Sequence, residues 1–341
     1  MRSLSMRQTI RDVGDRAGVS VGTVSNVLNA PHLVSAQTRS KVLEAIEELG
    51  YRPNRAARSL QARRTLSIGY RLPDPGPGTA LDVFLHQLVG TATDHGFAIT
   101  LFAPRAGEDD LDTYLEVIRS GDVDGFVLSG TNYDDPRVEM LSGLGFPFAA
   151  FGRADHASPF PWVDVDGASG TAQAVEHLSG LGHRRIGLVA WPSGSESGDT
   201  RVKGFEDGMA AAGLEVDPEL VLRTENGFER GRIAGLRMFK SANPPTAIVT
   251  VQDELGFGIM TAATELGLRP GRDLAVTGFD DTAAAAFMWP GLTSVRQPLD
   301  EVARVLVDLM VHRLSNPGEP PQTMLLHPQL VVRDSTLGTG R

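Results

Sequence analysis

The chain has 341 residues, 41% of them apolar and none of them cysteine. That length exceeds one small module and falls short of three full domains. Without cysteine there is no disulfide framework, no thiolate metal site and no Cys nucleophile. The net charge of −10 is unevenly spread. Residues 1–65 hold 11 Lys and Arg against 5 Asp and Glu, whereas the remainder holds 21 against 37. This asymmetry predicts a small basic piece that faces nucleic acid, attached to an acidic body. No apolar run approaches the roughly 18 residues of a membrane span. Met1 to Gln8 lead into no apolar stretch of the kind a secretory signal needs, so the expected location is the cytoplasm.

Three short helices are predicted between residues 9 and 50. Thr9 can cap the first, with Asp12 returning a bond, and Ile10, Val13 and Ala17 share a face. After the turn Ala17-Gly18-Val19, Ser20 is a natural cap for the second helix. There Val24, Val27 and Leu28 point inward, leaving Val21, Gly22, Thr23, Ser25 and Asn26 on the other face. Ser35 caps the third helix, whose stripe is Val42, Ile46 and Leu49 and whose stop is Gly50. Two helices joined by so short a turn, backed by a third, make a helix-turn-helix. An inert bundle would show Glu/Lys pairs where this second helix shows Thr, Ser and Asn. Short polar side chains are what a recognition helix needs to reach base edges and phosphates. The next segment, residues 51–64, starts a helix with Pro53 and holds one large apolar residue, Leu60. About eight helical residues are marginal alone in water. Such a helix forms only against something else, such as a partner copy and a DNA minor groove.

From residue 66 onward apolar strands alternate with helical patterns. Strands are predicted at 66–70, 98–102, 125–128, 147–151, 162–165, 186–189, 247–251, 274–279 and 329–332. Helices are predicted at 81–94, 112–120, 168–181, 201–212, 230–239 and 254–266. The alternation implies doubly wound parallel sheets covered by helices, in number enough for two. Ligands of such folds sit beyond the C-terminal ends of the strands. The Gly/Ser-rich stretch 191–200 reads as a loop at a cleft edge. Catalysis has little support: the eight His residues are scattered, and no nucleophile elbow, phosphate loop or dinucleotide fingerprint is present. No metal or cofactor is expected.

Thr9-Ile10-Arg11-Asp12-Val13, Ala17-Gly18-Val19-Ser20, Thr23-Val24-Ser25, Val34-Ser35, Thr38-Arg39 and Gly50-Tyr51-Arg52-Pro53-Asn54 together resemble the LacI/GalR family of bacterial transcription regulators. The resemblance implies a helix-turn-helix head (1–52), a hinge helix (53–64) and an effector-binding, dimerising body (65–341). The body would have two subdomains of periplasmic-binding-protein type, about 66–165 plus 296–326 and about 166–295 plus 327–337. It also implies that Val21, Gly22 and Asn26 face bases and that Ser20, Thr23 and Asn29 grip phosphate. Leu60 would wedge into the minor groove, as an apolar side chain can, with Asn54 and Ala57 of the same linker among the DNA-facing residues. Gly22 brings no reading side chain, whereas Val21 suits a thymine methyl and Asn26 an adenine.

The same resemblance places Arg201 and Asp280 as an effector clamp, expected at opposite sides of the cleft. Gln252, Phe84, Asn226, Phe228 and Arg153 are further candidates for the cleft wall, and Asp166 reads as a helix cap. The implied function is a homodimeric repressor, released from a pseudo-palindromic double-stranded operator by a small molecule, first of all a mono- or disaccharide. A purine co-repressor is the alternative within the class. A solute-binding protein is the alternative outside it, disfavoured by the basic head.

Overall fold

The computed structural model describes residues 8–29, 31–51, 64–72, 80–105, 107–154 and 159–337. The positions Asn54, Ala57 and Leu60, and the hinge helix that would carry them, lie outside the described residues, as does the side chain of Asn29. Contacts divide the chain into two compact units, Met1–Leu66 and Ser67–Arg341.

In the first unit α1 (Ile10–Ala17), α2 (Val21–Asn29) and α3 (Ala36–Leu49) form a three-helix cluster. Each start is written locally. The Thr9 N–H donates to Asp12 Oδ2 at 2.6 Å and the Asp12 N–H to Thr9 Oγ1 at 3.4 Å, a reciprocal capping box. Ser20 Oγ accepts from the Thr23 N–H at 3.2 Å, and Ser35 Oγ from the Thr38 N–H at 3.2 Å. The turn between α1 and α2 closes on Gly14, where an added Cβ would lie 2.9 Å from the Val19 carbonyl oxygen. Val13, Val24, Val27, Val42, Ala45 and Tyr51 form the core. Ile46 and Leu49 pack against it only half-buried, and Tyr51 closes the cluster from beyond α3.

The second unit is built on two six-stranded sheets. The first contains β1 (Ser67–Arg71), β2 (Ala98–Phe102), β3 (Gly125–Ser129), β4 (Phe148–Phe151), β5 (Trp162–Val165) and β11 (Thr323–Leu326), ordered β11-β5-β4-β3-β1-β2. All its pairs are parallel. The second contains β6 (Ile186–Ala190), β7 (Val221–Arg223), β8 (Ala247–Thr250), β9 (Ala275–Asp280), β10 (Thr293–Arg296) and β12 (Gln329–Val331), ordered β12-β10-β9-β8-β6-β7. It is parallel except for β12 against β10. The chain passes between the sheets three times, at 165–167, 296–299 and 326–329.

Helices α4 (Ala80–Asp94), α5 (Asp110–Ser120), α6 (Pro136–Leu144) and α12 (Leu299–Ser315) belong to the first sheet's half. Helices α7 (Gly167–Gly180), α8 (Glu196–Ala211), α9 (Phe228–Phe239), α10 (Asp253–Glu265), α11 (Ala283–Phe287) and α13 (Asp334–Leu337) belong to the second's. Phe126 is fully buried within a ring cluster, 4.9 Å from Tyr114 and 5.6 Å from Phe102. Phe205 and Phe279 anchor the second core. Burying each such side chain contributes about 1.5–3 kcal/mol. Helix α8 lies so close on α7 that a Cβ at Gly204 would fall 2.1 Å from the Ala168 carbonyl oxygen, which fixes the line along which α8 enters the cleft.

Helix α8 corrects the loop expected at 191–200. It starts at Glu196, because Ser195 Oγ accepts the Gly198 N–H at 3.1 Å and the acidic Glu196 and Asp199 in the first turn complement the helix dipole. Strand β10 carries the buried polar residues Thr293 and Ser294. The Thr293 N–H donates to Ser335 Oγ at 2.8 Å, and Ser294 Oγ donates to Asp253, so this polar stretch is satisfied inside the core.

Candidate functional site

Between the two sheets, at the C-terminal ends of their strands, lies a cavity of about 390 Å³. The first half contributes Thr131 and Asn132 after β3, Phe151 of β4 and Asp164 of β5. The second half contributes Trp191 after β6, Gln252 before α10, Asp280 at the end of β9, and Arg201 from α8. Gln297 reaches in from the passage that follows β10.

Arg201 is buried, and its Nη1 donates to the Val251 carbonyl at 2.6 Å. Its guanidinium lies 3.7 Å from the Phe279 ring centroid and 4.9 Å from that of Trp191. Such stacking holds a cation in an apolar setting. Asp280 Oδ1 stands 4.0 Å from Arg201 Nη1 and accepts from Gln297 Nε2 at 2.6 Å. Burial pushes the Asp280 carboxyl up to about 6, against the opposing pull of Arg201 and of the Gln297 and Gln252 amides. Behind it, Asp253 accepts from Ser294 Oγ at 2.5 Å and from the Thr282 N–H at 2.7 Å. Burial and the neighbouring Asp280 charge push Asp253 up to about 7. Asp280 and Asp281 both hold positive φ, 108° and 50°. That conformation strains a residue with a side chain, and at Asp280 it falls on a residue that lines the cavity. Asp281 is tied away from the cavity by Arg296 and Arg333, each at 2.6 Å.

In the head, α2 turns Val21, Gly22 and Asn26 to solvent, Val21 being 42% exposed. Ser20 and Thr23 are hydrogen-bonded through their hydroxyls at 3.0 Å. A short helix presenting small polar groups and one branched apolar residue suits the major groove.

The sequence description "Bacterial regulatory proteins, lacI family" matches residues 9–54, and "Periplasmic binding protein-like domain" matches residues 175–336. The HTH-type transcriptional regulator CelR of Thermobifida fusca is 34% identical over 337 residues, covering 96% of this chain and 98% of that protein. The chain belongs to the lacI family of bacterial regulatory proteins. A solved complex of the transcriptional regulator CelR with cellobiose is similar over 96% of this chain and 100% of that one, at 30% identity and a TM-score of 0.73. The lac repressor dimer bound to operator and the anti-inducer ONPF is similar over 97% and 99% of the two chains, at 28% identity and a TM-score of 0.76. These relatives are transcriptional regulators and not enzymes, and the lacI-family chain described here is a DNA-binding transcriptional regulator.

Within this lacI-family body the candidate residues fall into three groups. Arg201, Asp280, Gln252 and Asn226 line the cavity. Arg201 and Asp280 nevertheless do not face each other across the cleft as expected. Both belong to the second half and sit side by side, because α8 and the end of β9 are neighbours there. The opposing carboxylate is Asp164, buried and held by Arg153 Nε at 2.8 Å. Arg153 stands beside the cavity instead of lining it. Its Nη1 reaches Glu196 Oε1 at 3.1 Å, so one guanidinium bridges β5 of the first half and α8 of the second.

Phe84 and Phe228 are corrections. Phe84 is fully buried beneath the cleft, 6.0 Å from Tyr70 and 5.1 Å from Phe151, and is a core residue. Phe228 opens α9, is 45% exposed and is not part of the cavity lining. Asn226, two residues earlier, faces the cavity and donates through Nδ2 to Glu254 Oε2 at 2.9 Å. Asp166 caps α7 by accepting from the Ser169 N–H at 3.0 Å. Asp164, Trp191 and Gln297 escaped the reading of the sequence. A carboxylate inside the apolar strand Trp162-Val163-Asp164-Val165 is the one local signal that marks such a residue.

Among the described residues, no group of three or more His, Asp or Glu is arranged to hold a metal ion, and no helix is long and apolar enough to cross a membrane.

Proposed function

We propose that this regulator binds a pseudo-palindromic DNA operator as a homodimer in the cytoplasm, and that a mono- or disaccharide entering the body's cavity releases it. The observation that carries the reading is the cavity between the two sheets, whose lining holds the buried Arg201 and Asp280 side by side. A guanidinium and a carboxylate in one desolvated wall donate to and accept from vicinal hydroxyls together. The CelR–cellobiose complex supports the sugar.

The head supplies the DNA contact in this reading. Val21, Gly22 and Asn26 face bases, while Ser20, Thr23 and Asn29 hold phosphates and set the register. In the linker, Asn54 and Ala57 accompany Leu60, which wedges into the central minor-groove step. The homodimer is supported by Phe287 and Trp289, which are 86% and 78% exposed at the end of α11. Two large aromatic side chains so open to water are a surface that a second copy would cover.

The test is a thermal-shift panel of mono- and disaccharides, sugar phosphates and purines on the purified protein. A ligand at about 100 times its Kd adds about 2.7 kcal/mol of stability. The expected result is a rise in Tm with a saccharide, abolished in Arg201→Ala and Asp280→Ala. A rise with purines alone would contradict the reading.

A further inference from the structure

The turn that ends β9 keeps Asp280 and Asp281 at positive φ, which side chains other than glycine avoid. Such residues persist only where their neighbours fix them from several sides. Here the fixing comes from Asp253, the first residue of α10, which is wholly buried and takes no part in the cavity lining. Its Oδ2 accepts from the Thr282 N–H at 2.7 Å and from Thr282 Oγ1 at 2.8 Å. Its Oδ1 accepts from Ser294 Oγ at 2.5 Å, and Ser294 Oγ accepts from the Asp281 N–H at 2.9 Å. The two backbone N–H groups that follow Asp280 thus both end on one buried carboxylate, one directly and one through a hydroxyl. Arg296 and Arg333 hold the Asp281 side chain, but they leave the backbone of the turn to Asp253 and Ser294.

The same carboxylate ties the turn to the rest of the polar wall. Asp253 directly follows Gln252, which lines the cavity, and Val251, whose carbonyl accepts from Arg201 Nη1 at 2.6 Å. Thr250 Oγ1 lies 2.9 Å from the carbonyl oxygens of both Gln252 and Thr277, which keeps the end of β8 against β9. On the other side β10 runs beside β9 with Ser294 opposite Gly278, and a Cβ at Gly278 would collide with Asp253 Oδ1. Asp253 is therefore seated tightly among three strands. Its place calls for a group that only accepts, because three donors converge on its two oxygens. An asparagine amide would put a donor where one oxygen stands and break one end of the brace.

We infer that Asp253, acting through Ser294 and Thr282, is a positioning residue of the effector site: it holds the strained turn that sets the Asp280 carboxylate beside Arg201. Effector affinity then depends on a residue that touches no ligand. This rests on the proposed effector role of Asp280 and assigns the support of that role to a residue on another element.

Two measurements test this, the first without ligand. Glycine adopts positive φ freely, so at position 280 it relieves strain only while the brace imposes it. The Tm of Asp280→Gly minus that of Asp280→Asn should therefore fall by at least about 2 °C when Ser294→Ala is added to both. Equal differences in the two backgrounds overturn the inference. The second is calorimetric titration of wild type, Asp280→Ala, Asp253→Asn and Ser294→Ala with glucose, galactose, cellobiose and maltose. For a saccharide that wild type binds, Asp253→Asn and Ser294→Ala should each lose about tenfold in affinity. Wild-type affinity in both, with Asp280→Ala impaired, overturns the inference and leaves the sugar reading standing. Wild-type affinity in Asp280→Ala as well removes the effector role of Asp280, and the inference with it. If none of the four sugars binds, the sugar reading falls and the melting difference alone decides on Asp253. Should Asp253→Asn fail to fold, Ser294→Ala, which removes a single hydroxyl, carries both measurements.

Discussion

Asp280 is a carboxylate whose ion-pair partner offsets only part of the cost of burial. Its folded pKa, about 6, lies above its ordinary value of 3.8. A raised folded pKa means the contribution to stability is present below about pH 4 and is lost as pH rises through about 6. Relative to Asp280→Asn, the wild type without ligand should therefore lose on the order of 1–3 kcal/mol between pH 4 and 7. Melting curves of the two proteins across that window check this. Effector affinity should run the other way. A protonated Asp280 is a poorer acceptor for ligand hydroxyls, so binding weakens as pH falls below about 6. Equal saccharide affinity at pH 5 and 7.5 would contradict the role given to this carboxylate. Phe84 yields a second prediction at this scale. Packed between Tyr70 and Phe151, it should cost about 3–5 kcal/mol of stability when changed to Ala, read by chemical denaturation. Lost affinity without lost stability would return it to the cleft wall. Arg201 and Asp280 were legible because each sits in a run whose neighbours are distinctive. Asp164 and Gln297 were not, since nothing near them in sequence says which side chains of the other sheet they will meet. Between Asn226 and Phe228, only the angle at which the chain enters α9 decides which one turns inward.

The elements of the head were written in their capping residues, which act over three or four positions. Thr9, Ser20 and Ser35 all cap as their sequence context implies. The body's long central strands were equally plain, being continuous apolar runs. Strands β7, β10 and β11 were not, for they have three or four residues and include polar or exposed ones. Their status depends on a neighbour in the sheet. Helix α12 shows an apolar stripe through Val302, Leu306 and Met310, but that it covers the first sheet after leaving the second is information only the fold holds. The passage into α12 carries Arg296 and Gln297, which grip Asp281 and Asp280 in turn. A ligand hydroxyl that competes for Asp280 thereby disturbs a segment joining the two halves. Gln297→Leu, compared with wild type at saturating saccharide, should release DNA less completely, as measured by fluorescence anisotropy with and without saccharide. Wild-type release by that variant would remove Gln297 from the route.

At the scale of the whole molecule, charge and exposed apolar surface carry the argument. The basic head on an acidic body, visible in the composition alone, predicts DNA binding that weakens steeply with salt, with a slope set by the phosphates contacted. Binding is coupled to the effector only so far as the ligand prefers one arrangement of the body's halves. A charge at the exposed aromatic pair, in Phe287→Asp or Trp289→Asp, should shift the protein toward monomers in sedimentation and weaken operator affinity with it. Dimers unchanged in both variants would move the interface elsewhere. The most direct measurement is selection of duplex DNA from a random pool by the full-length protein, followed by titration of the enriched site with a neutral saccharide that binds the body. The account predicts one enriched sequence with two-fold symmetry, whose affinity falls when the saccharide is added. No enriched sequence, an enriched site without symmetry, or binding indifferent to every saccharide that occupies the cavity would contradict it.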